Sequence, residues 1–190
     1  KSRGGYIEPI KILEDQGGDA LRWSFLANVG PWVPTRFTVD NIREAQRRFL
    51  LTLRNVYQFF TIYARIDNYD PAEISVDRDN LSRLDMWIMA RLHRTTSEVT
   101  DRMEHYDVLG AAQSLEKFVD GLSNWYVRRS RERFWRSEKD DDKWAAYQTL
   151  HTCLVEMSKL LAPFTPFVSE EIYQNLAVGH LGGAKESVHL

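Results

Sequence analysis

The chain has 190 residues, of which 43% are hydrophobic and 27% are charged, and its formal net charge is −2. This composition is typical of a packed soluble protein, and it excludes both a disordered chain and a uniformly basic nucleic-acid coat. No apolar run approaches the ~20 residues of a membrane span and no secretory signal is apparent, so we expect a cytoplasmic protein with no membrane contact.

Residues 1–39 form the first predicted unit, because they alternate short apolar stretches with turns, unlike the rest of the chain. Within this unit we expect Leu21 and Trp23 to be core residues and Arg22 to be an ion-pair partner. We therefore predict a small N-terminal segment attached to the main body of the protein.

From residue 40 onward the pattern becomes helical, since apolar residues recur at spacings of three and four. Asp40 is the predicted N-cap of a first long helix that runs to about Ala64. Residues 67–79 are rich in aspartate and are predicted to form a solvated connection. Asn80 or Ser82 is expected to start the second long helix.

A third helix is predicted to open near Asp107 and to continue into residues 124–136. A fourth is expected over residues 144–161, where Ala162-Pro163 ends it, because proline disfavours helix in the residue before it. A fifth follows from residue 165 to about 176, and residues 179–190 are an irregular tail. Long antiparallel helices with short links predict an all-α antiparallel helical bundle over residues 40–178.

Residues 124–136, called the arginine segment below, carry the strongest functional signal in the sequence. They contain five arginines and four aromatic residues but one acid, in a chain that is otherwise slightly acidic. Arginine presents planar, permanently charged forks to phosphate oxygens, and aromatic rings offer faces on which unpaired bases stack. The segment therefore predicts an RNA-binding surface.

A helical wheel divides the arginine segment into two neighbouring stripes, one with Arg128, Arg131 and Trp135 and one with Tyr126, Arg129 and Arg133. The five arginines are candidate phosphate or base contacts: Arg128, Arg129, Arg131, Arg133 and Arg136. Trp125 and Tyr126 are predicted to lie in the core, whereas Phe134 and Trp135 are the candidate stacking surfaces. The alternative is that several guanidinium groups pair with carboxylates of neighbouring helices.

The other reactive residue types indicate no catalytic or metal centre. Cys153, the one cysteine, lies in an apolar stretch and is predicted to be a buried small hydrophobe. The five histidines lack the spacings of paired metal ligands on a helix, so no metal site is predicted. Residues 140–142 are three aspartates at a predicted helix start, where acids complement the helix dipole.

Four stretches of the sequence resemble isoleucyl-tRNA synthetases, a family of class I aminoacyl-tRNA synthetases. N-W-Y-V-R-R-S-R-E-R-F-W at residues 124–135 resembles the signature helix of that family. K-S-R-G-G-Y-I-E-P at residues 1–9 and G-D-A-L-R-W at 18–23 resemble the end of the K-M-S-K-S loop and the D-A-L-R helix after it. L-A-P-F-T-P-F-V-S-E-E-I-Y at 161–173 is similar to the end of the anticodon-binding bundle. The resemblance spans essentially the whole chain in the same order.

The resemblance implies a fragment of a ligase that attaches isoleucine to its tRNA with ATP and magnesium. Lys1 and Ser2 would be the last two residues of the K-M-S-K-S loop and would not function alone, and Gly5 replaces the asparagine more usual there. No cofactor is expected in the fragment itself, which we predict to be inactive. Its expected partners are the anticodon stem-loop of isoleucine tRNA and the catalytic, editing and C-terminal domains of the parent chain.

Three alternatives stay open at the level of the sequence. The bundle could be a structural brace between synthetase domains, with its arginines in interhelical ion pairs. It could also be the equivalent domain of a valyl-tRNA synthetase, although the run R-R-S-R-E-R-F-W favours the isoleucyl family. An independent small enzyme would need a cluster of acids or histidines that the sequence does not offer.

Overall fold

A computed structural model describes residues 8–30, 32–34 and 38–190 of the protein. Within these ranges the regular structure is entirely helical, which confirms the predicted all-α class. The first two helices of the described residues are short: α1 (Pro9–Gln16) and α2 (Gly18–Ala27). The predictions for Lys1, Ser2 and Gly5 lie outside the described residues.

The first long helix combines α3 (Val39–Ala45), a π-helical segment (Gln46–Leu50) and α4 (Leu51–Asp67). Its N-cap is Thr38, whose hydroxyl accepts the Asn41 N–H at 3.3 Å, so the predicted cap Asp40 lies in the first turn instead. The helix ends three residues beyond the expected position. There Asn68 adopts a left-handed conformation with φ of 54°, which terminates the hydrogen-bonding pattern.

The second and third long helices begin at capped positions that the sequence predicts. After a 3₁₀ turn (Arg78–Asn80), α5 (Arg83–Glu104) starts behind Ser82, whose hydroxyl accepts the Asp85 N–H in a capping box. Asp107 caps α6 (Val108–Gly121), which continues through a second π-helical segment (Leu122–Val127) into α7 (Arg128–Trp135). The continuous helix from α6 to α7 confirms that the third helix extends into the arginine segment.

The last two helices are α8 (Asp141–Leu161) and α9 (Pro166–Leu176). The Asp140 carboxylate accepts the Lys143 N–H at 2.8 Å, so α8 begins three residues before the predicted start. Residues 177–190 are turns that lie against α9, where the Val188 N–H donates to Glu170 Oε2 at 2.9 Å. None of the helices in the described ranges is long and apolar enough to cross a membrane.

One hydrophobic core joins the N-terminal helices to the bundle. Trp23 of α2 is buried and stacks on Phe49 of the first π-helical segment, with 3.8 Å between ring centroids. Arg22, which we expected in an ion pair, instead donates to the backbone carbonyls of Pro163 and Phe164 in the turn that follows α8. These contacts position α2 beside the turn between α8 and α9. The division of the chain at residue 39 stays a prediction.

Candidate nucleic-acid interface

Three of the five arginines in the arginine segment are exposed on α7: Arg128, Arg129 and Arg131. Trp135 lies on the same helix and is 58% exposed. Its role as a stacking surface stays a prediction. We call these four residues the arginine face. Among the residues that the structure describes, no carboxylate lies within ion-pair distance of its three guanidinium groups.

Trp125 adds an aromatic ring beside the arginine face. It was predicted to be a core residue, but it is 52% exposed, and the guanidinium carbon of Arg129 lies 4.6 Å from its ring centroid. A cation held over a tryptophan face at this distance is favourable and restrains both side chains. Trp125 is therefore a second exposed ring that the helical wheel missed.

Arg133 is turned away from solvent, so the expectation of an exposed phosphate contact is wrong for this residue. Its side chain is 13% exposed and forms two hydrogen bonds of 2.8 Å with the carboxylate of Asp85 on α5. A third contact, 2.9 Å long, joins Arg133 to the carboxylate of Asp142 at the start of α8. The guanidinium group thus ties α7 to both neighbouring helices.

Arg136 is likewise occupied by carboxylates. Its side chain is 28% exposed and contacts Asp140 and, at 2.8 Å, Asp142. The backbone carbonyl of Arg136 also accepts a hydrogen bond of 2.7 Å from the buried Lys143. Two of the aspartates at residues 140–142 therefore fix the end of α7, in keeping with the structural role predicted for all three.

The carboxylate of Asp85 is the centre of this network. It accepts the hydroxyl of Tyr126 at 2.6 Å and the backbone N–H of Ser82 at 2.9 Å, in addition to the Arg133 pair. Burial alone would raise the pKa of Asp85, but the hydrogen bonds from Arg133, Tyr126 and Ser82 outweigh it and hold the pKa below its ordinary value. Asp85 is thus a charged, fully paired anchor beneath the arginine face.

Phe134 is also buried, although it was predicted to be a stacking surface. Its side chain is 1% exposed and packs edge-on against Tyr147, with 4.7 Å between ring centroids. The π-helical segment before α7 explains the difference. An extra residue in a helical turn rotates all later side chains by about 100° relative to an unbroken α-helix.

Buried side chains of this helix follow a four-residue spacing, from Phe118 through Leu122, Tyr126 and Ser130 to Phe134. In an unbroken α-helix such a spacing would drift around the axis, and the π-helical segment removes part of that drift. Four of these five positions carry large apolar or aromatic residues in the sequence, and Ser130 is the exception. A helical wheel with fixed periodicity does not use this spacing.

The remaining reactive groups are Cys153 and the residue types that could bind a metal. Cys153 is fully buried, as predicted, and burial raises the pKa of its thiol far above the ordinary range. In the described part of the chain, no group of three or more His, Cys, Asp or Glu residues is placed to hold a metal ion.

The sequence of this chain is similar to a known protein family and to individual tRNA ligases. A family model described as the anticodon-binding domain of tRNA ligase matches residues 85–190. The whole chain is 47% identical to isoleucine–tRNA ligase of Clostridium novyi (strain NT), covering 18% of that protein, and 48% identical to isoleucine–tRNA ligase of Dehalococcoides mccartyi (strain 195), covering 19%. The chain thus spans about a fifth of the length of the curated relatives it matches.

Two solved structures share the fold. Apo methionyl-tRNA synthetase of Mycobacterium tuberculosis superposes with a TM-score of 0.75 at 14% identity, over 90% of this chain and 35% of that one. The ternary complex of Agrobacterium radiobacter K84 agnB2 LeuRS with tRNA and LeuAMS gives 0.66 at 19% identity, over 95% and 21%. This chain is matched by the family model, is similar to isoleucine–tRNA ligases over all of its own 190 residues and shares the helical bundle of the two solved structures. It therefore belongs to the anticodon-binding domain family of tRNA ligases.

Proposed function

We propose that the arginine face binds the anticodon stem and loop of isoleucine tRNA. The observation that carries this proposal is the exposure of Arg128, Arg129 and Arg131 beside two exposed tryptophans, in a chain whose net charge is −2. Guanidinium groups that lack a carboxylate partner are available for phosphate oxygens, and the RNA backbone supplies these at regular intervals. Membership in the anticodon-binding family supports the same partner.

The exposed arginines and rings predict which groups of the RNA are contacted and how the affinity depends on salt. Contacts to phosphates position the RNA and carry little base information, whereas exposed rings take up unpaired bases. Since three arginines contribute, affinity is expected to fall steeply as salt concentration rises. In this proposal the buried Asp85–Arg133 pair holds α7 in place and is not an RNA contact.

The parent protein, in this proposal, attaches isoleucine to its tRNA with ATP and magnesium in the cytoplasm. Catalytic, editing and C-terminal domains of the same parent chain would be its neighbours. Lys1 and Ser2, which resemble the end of the K-M-S-K-S loop, lie outside the described residues. The chain by itself is expected to be inactive in aminoacylation.

Filter binding with an isoleucine anticodon hairpin at two salt concentrations tests the RNA contact. We expect the double variant Arg128→Ala, Arg131→Ala to weaken binding at low salt and to reduce the slope of log affinity against log salt by about 2, one unit for each phosphate contact. The matched control is Arg43→Ala, Arg94→Ala, which removes the same charge from α3 and α5. Both control arginines already pair with neighbouring carboxylates.

A second candidate function, a structural brace between synthetase domains, is favoured by the ion pairs of Arg133 and Arg136. The two functions predict different outcomes in the same assay. Equal binding by the wild type and the Arg128→Ala, Arg131→Ala variant would reject the RNA face and favour the brace. Equal losses in the test and control variants would show that net charge alone drives binding.

A further inference from the structure

A groove of about 530 Å³ lies between α4, α8 and the end of α9. The lining residues of α4 recur at spacings of three and four, which places them on one side of the helix: Tyr57, Thr61, Ala64 and Asn68. His151 lines the groove from α8, and Asn175 and Leu176 line it from α9. None of the described residues that line the groove belongs to α7, which carries the arginine face. The groove is therefore separate from the proposed RNA contact.

The base of the groove is aromatic. Phe60 and His151 are 2% and 5% exposed, and their ring centroids lie 5.8 Å apart. Tyr69, which follows the left-handed residue Asn68, lines the groove and packs edge-on against Phe60 at 6.1 Å. The His151 ring is held in place because its Nε2–H donates to the Leu176 carbonyl at 2.8 Å. This base suits a flat apolar ring, since aromatic rings pack favourably edge-on or offset.

The rim of the groove carries positive charge. Arg65 is exposed, lines the groove and has no described carboxylate within ion-pair distance. His180 is exposed in the turns after α9 and lines the groove as well. The described lining residues include no aspartate or glutamate, and Asp67, the nearest acid along the chain from Arg65, pairs with the buried Lys143 at 2.6 Å. The groove is therefore complementary to an anion.

Two polar contacts hold the walls of the groove together. Asn175 Nδ2 donates to the Tyr57 hydroxyl at 2.8 Å and to the Glu171 carbonyl at 2.9 Å. Arg54 and Glu171 form an ion pair of 3.5 Å between the same two helices. Because the Tyr57 oxygen accepts the bond from Asn175, the hydroxyl proton of Tyr57 is free to be donated to a ligand.

We propose that this groove binds a small organic anion, with one flat apolar ring against Phe60 and one oxyanion group, a carboxylate or a phosphate ester, at Arg65. A guanidinium group forms paired hydrogen bonds with either oxyanion, and the Tyr57 hydroxyl is a further donor. The volume is within the range of about 300–1,000 Å³ that is typical of small-ligand sites. This site goes beyond the proposed function, because it requires neither the RNA nor the arginine face.

NMR titration of the isotope-labelled 190-residue chain with benzoate and with phenyl phosphate tests the site. We expect the backbone amide signals of residues 57–70, 151 and 175–180 to shift, with a Kd in the millimolar range for ligands of about ten non-hydrogen atoms. Benzamide has nearly the shape of benzoate but no charge, so it should bind at least about 10-fold more weakly. The tighter of the two anions identifies the preferred oxyanion.

Arg65→Ala removes the proposed anion contact and is expected to weaken benzoate binding at least about 10-fold, since hydrogen bonds to a charged group are lost. Tyr57→Phe keeps the ring but removes the hydroxyl, so a loss of about 2- to 10-fold is expected. Arg47→Ala is the matched control, because Arg47 is exposed on the same long helix but does not line the groove. It should bind benzoate as the wild type does. Thermal melting confirms that each variant is folded.

Several outcomes would overturn the inference. The groove is not an anion site if both anions leave its amide signals unmoved, or if benzamide binds as well as benzoate does. Equal losses in Arg65→Ala and Arg47→Ala would show that net charge alone attracts the ligand. The double variant Arg128→Ala, Arg131→Ala should keep the wild-type affinity for benzoate, and a loss there would assign the anion to the arginine face. Since these titrations contain no RNA, a failure of RNA binding leaves their result unchanged.

Discussion

Arg133 and Asp85 form a bidentate pair across 48 residues of sequence, with both N–O distances at 2.8 Å. Asp85 also completes the capping box of α5 and accepts the hydroxyl of Tyr126. One carboxylate therefore fixes the start of α5, the second π-helical segment (Leu122–Val127) and the rotation of α7 about its axis. The exposure of the arginine face follows from this pair, because it points Arg133 inward.

Asp85→Asn is expected to lower the free energy of unfolding by about 3–5 kcal/mol, since it leaves the buried guanidinium group of Arg133 without its countercharge. Urea unfolding followed by circular dichroism measures the loss. The control is Asp40→Asn, which removes a carboxylate that is 90% exposed and pairs with Arg43; its effect should be ~0–1 kcal/mol. Similar losses for the two variants would contradict the anchoring role of Asp85.

Phe134→Ala and Trp135→Ala test the rotation of α7 with two adjacent aromatic residues. Phe134 packs against Tyr147 and Phe59, so its removal should cost about 3–5 kcal/mol of unfolding free energy. Trp135 is mostly exposed, and its removal should change stability by no more than about 0.5 kcal/mol. Melting curves of the two variants measure both stability changes. The reverse order would mean that α7 is rotated as in an unbroken α-helix.

The burial of His151 leads us to expect that the protein loses stability in mild acid. Burial lowers the pKa of this histidine below its ordinary value, although the hydrogen bond of 2.8 Å from Nε2 to the Leu176 carbonyl acts in the opposite direction. The unfolded chain therefore binds a proton more readily than the folded protein does. Unfolding free energy should fall as pH drops below about 6.5, the ordinary histidine value, until the lower folded pKa is passed.

Urea unfolding at several values between pH 5 and 8 checks this dependence, with His151→Gln as the variant expected to lose it. His105 is the internal comparison. Its pKa is raised by the backbone carbonyl and the carboxylate of Asp101, so its contribution is present at low pH and is lost as pH rises. Replacing His105 with Gln should therefore steepen the acid loss. A flat profile in the wild type, unchanged by His151→Gln, would refute the prediction.

Asp19 on α2 caps a helix that is distant in sequence. Its carboxylate accepts the backbone N–H groups of Phe167 and Val168 at 3.2 and 2.7 Å, at the start of α9. Asp19→Ala is expected to cost about 0.5–2 kcal/mol, the typical value of an N-cap, whereas Asp19→Asn keeps an acceptor and should cost less. Equal melting temperatures for the wild type and Asp19→Ala would show that α2 does not stabilise α9.

Local signals in the sequence were sufficient for the class of fold and for several helix ends. Ser82, Asp107 and Asp140 each cap the helix that they were predicted to start or to precede, because a side-chain oxygen satisfies free N–H groups within the same turn. The burial of Cys153 likewise follows from the apolar stretch around it. The family resemblance, carried by linear motifs, is confirmed by the full-length similarity to isoleucine–tRNA ligases.

The sequence by itself determined that this protein is a helical bundle with an arginine-rich helix, because periodicity and capping act over a few residues. Only the tertiary structure decided which arginines face solvent. Arg133 is buried since Asp85, far away in sequence, lies beside it, and Trp125 is exposed since a π-helical turn rotates the helix at that point. Both effects depend on contacts between distant helices, and a helical wheel with fixed periodicity contains no such contacts.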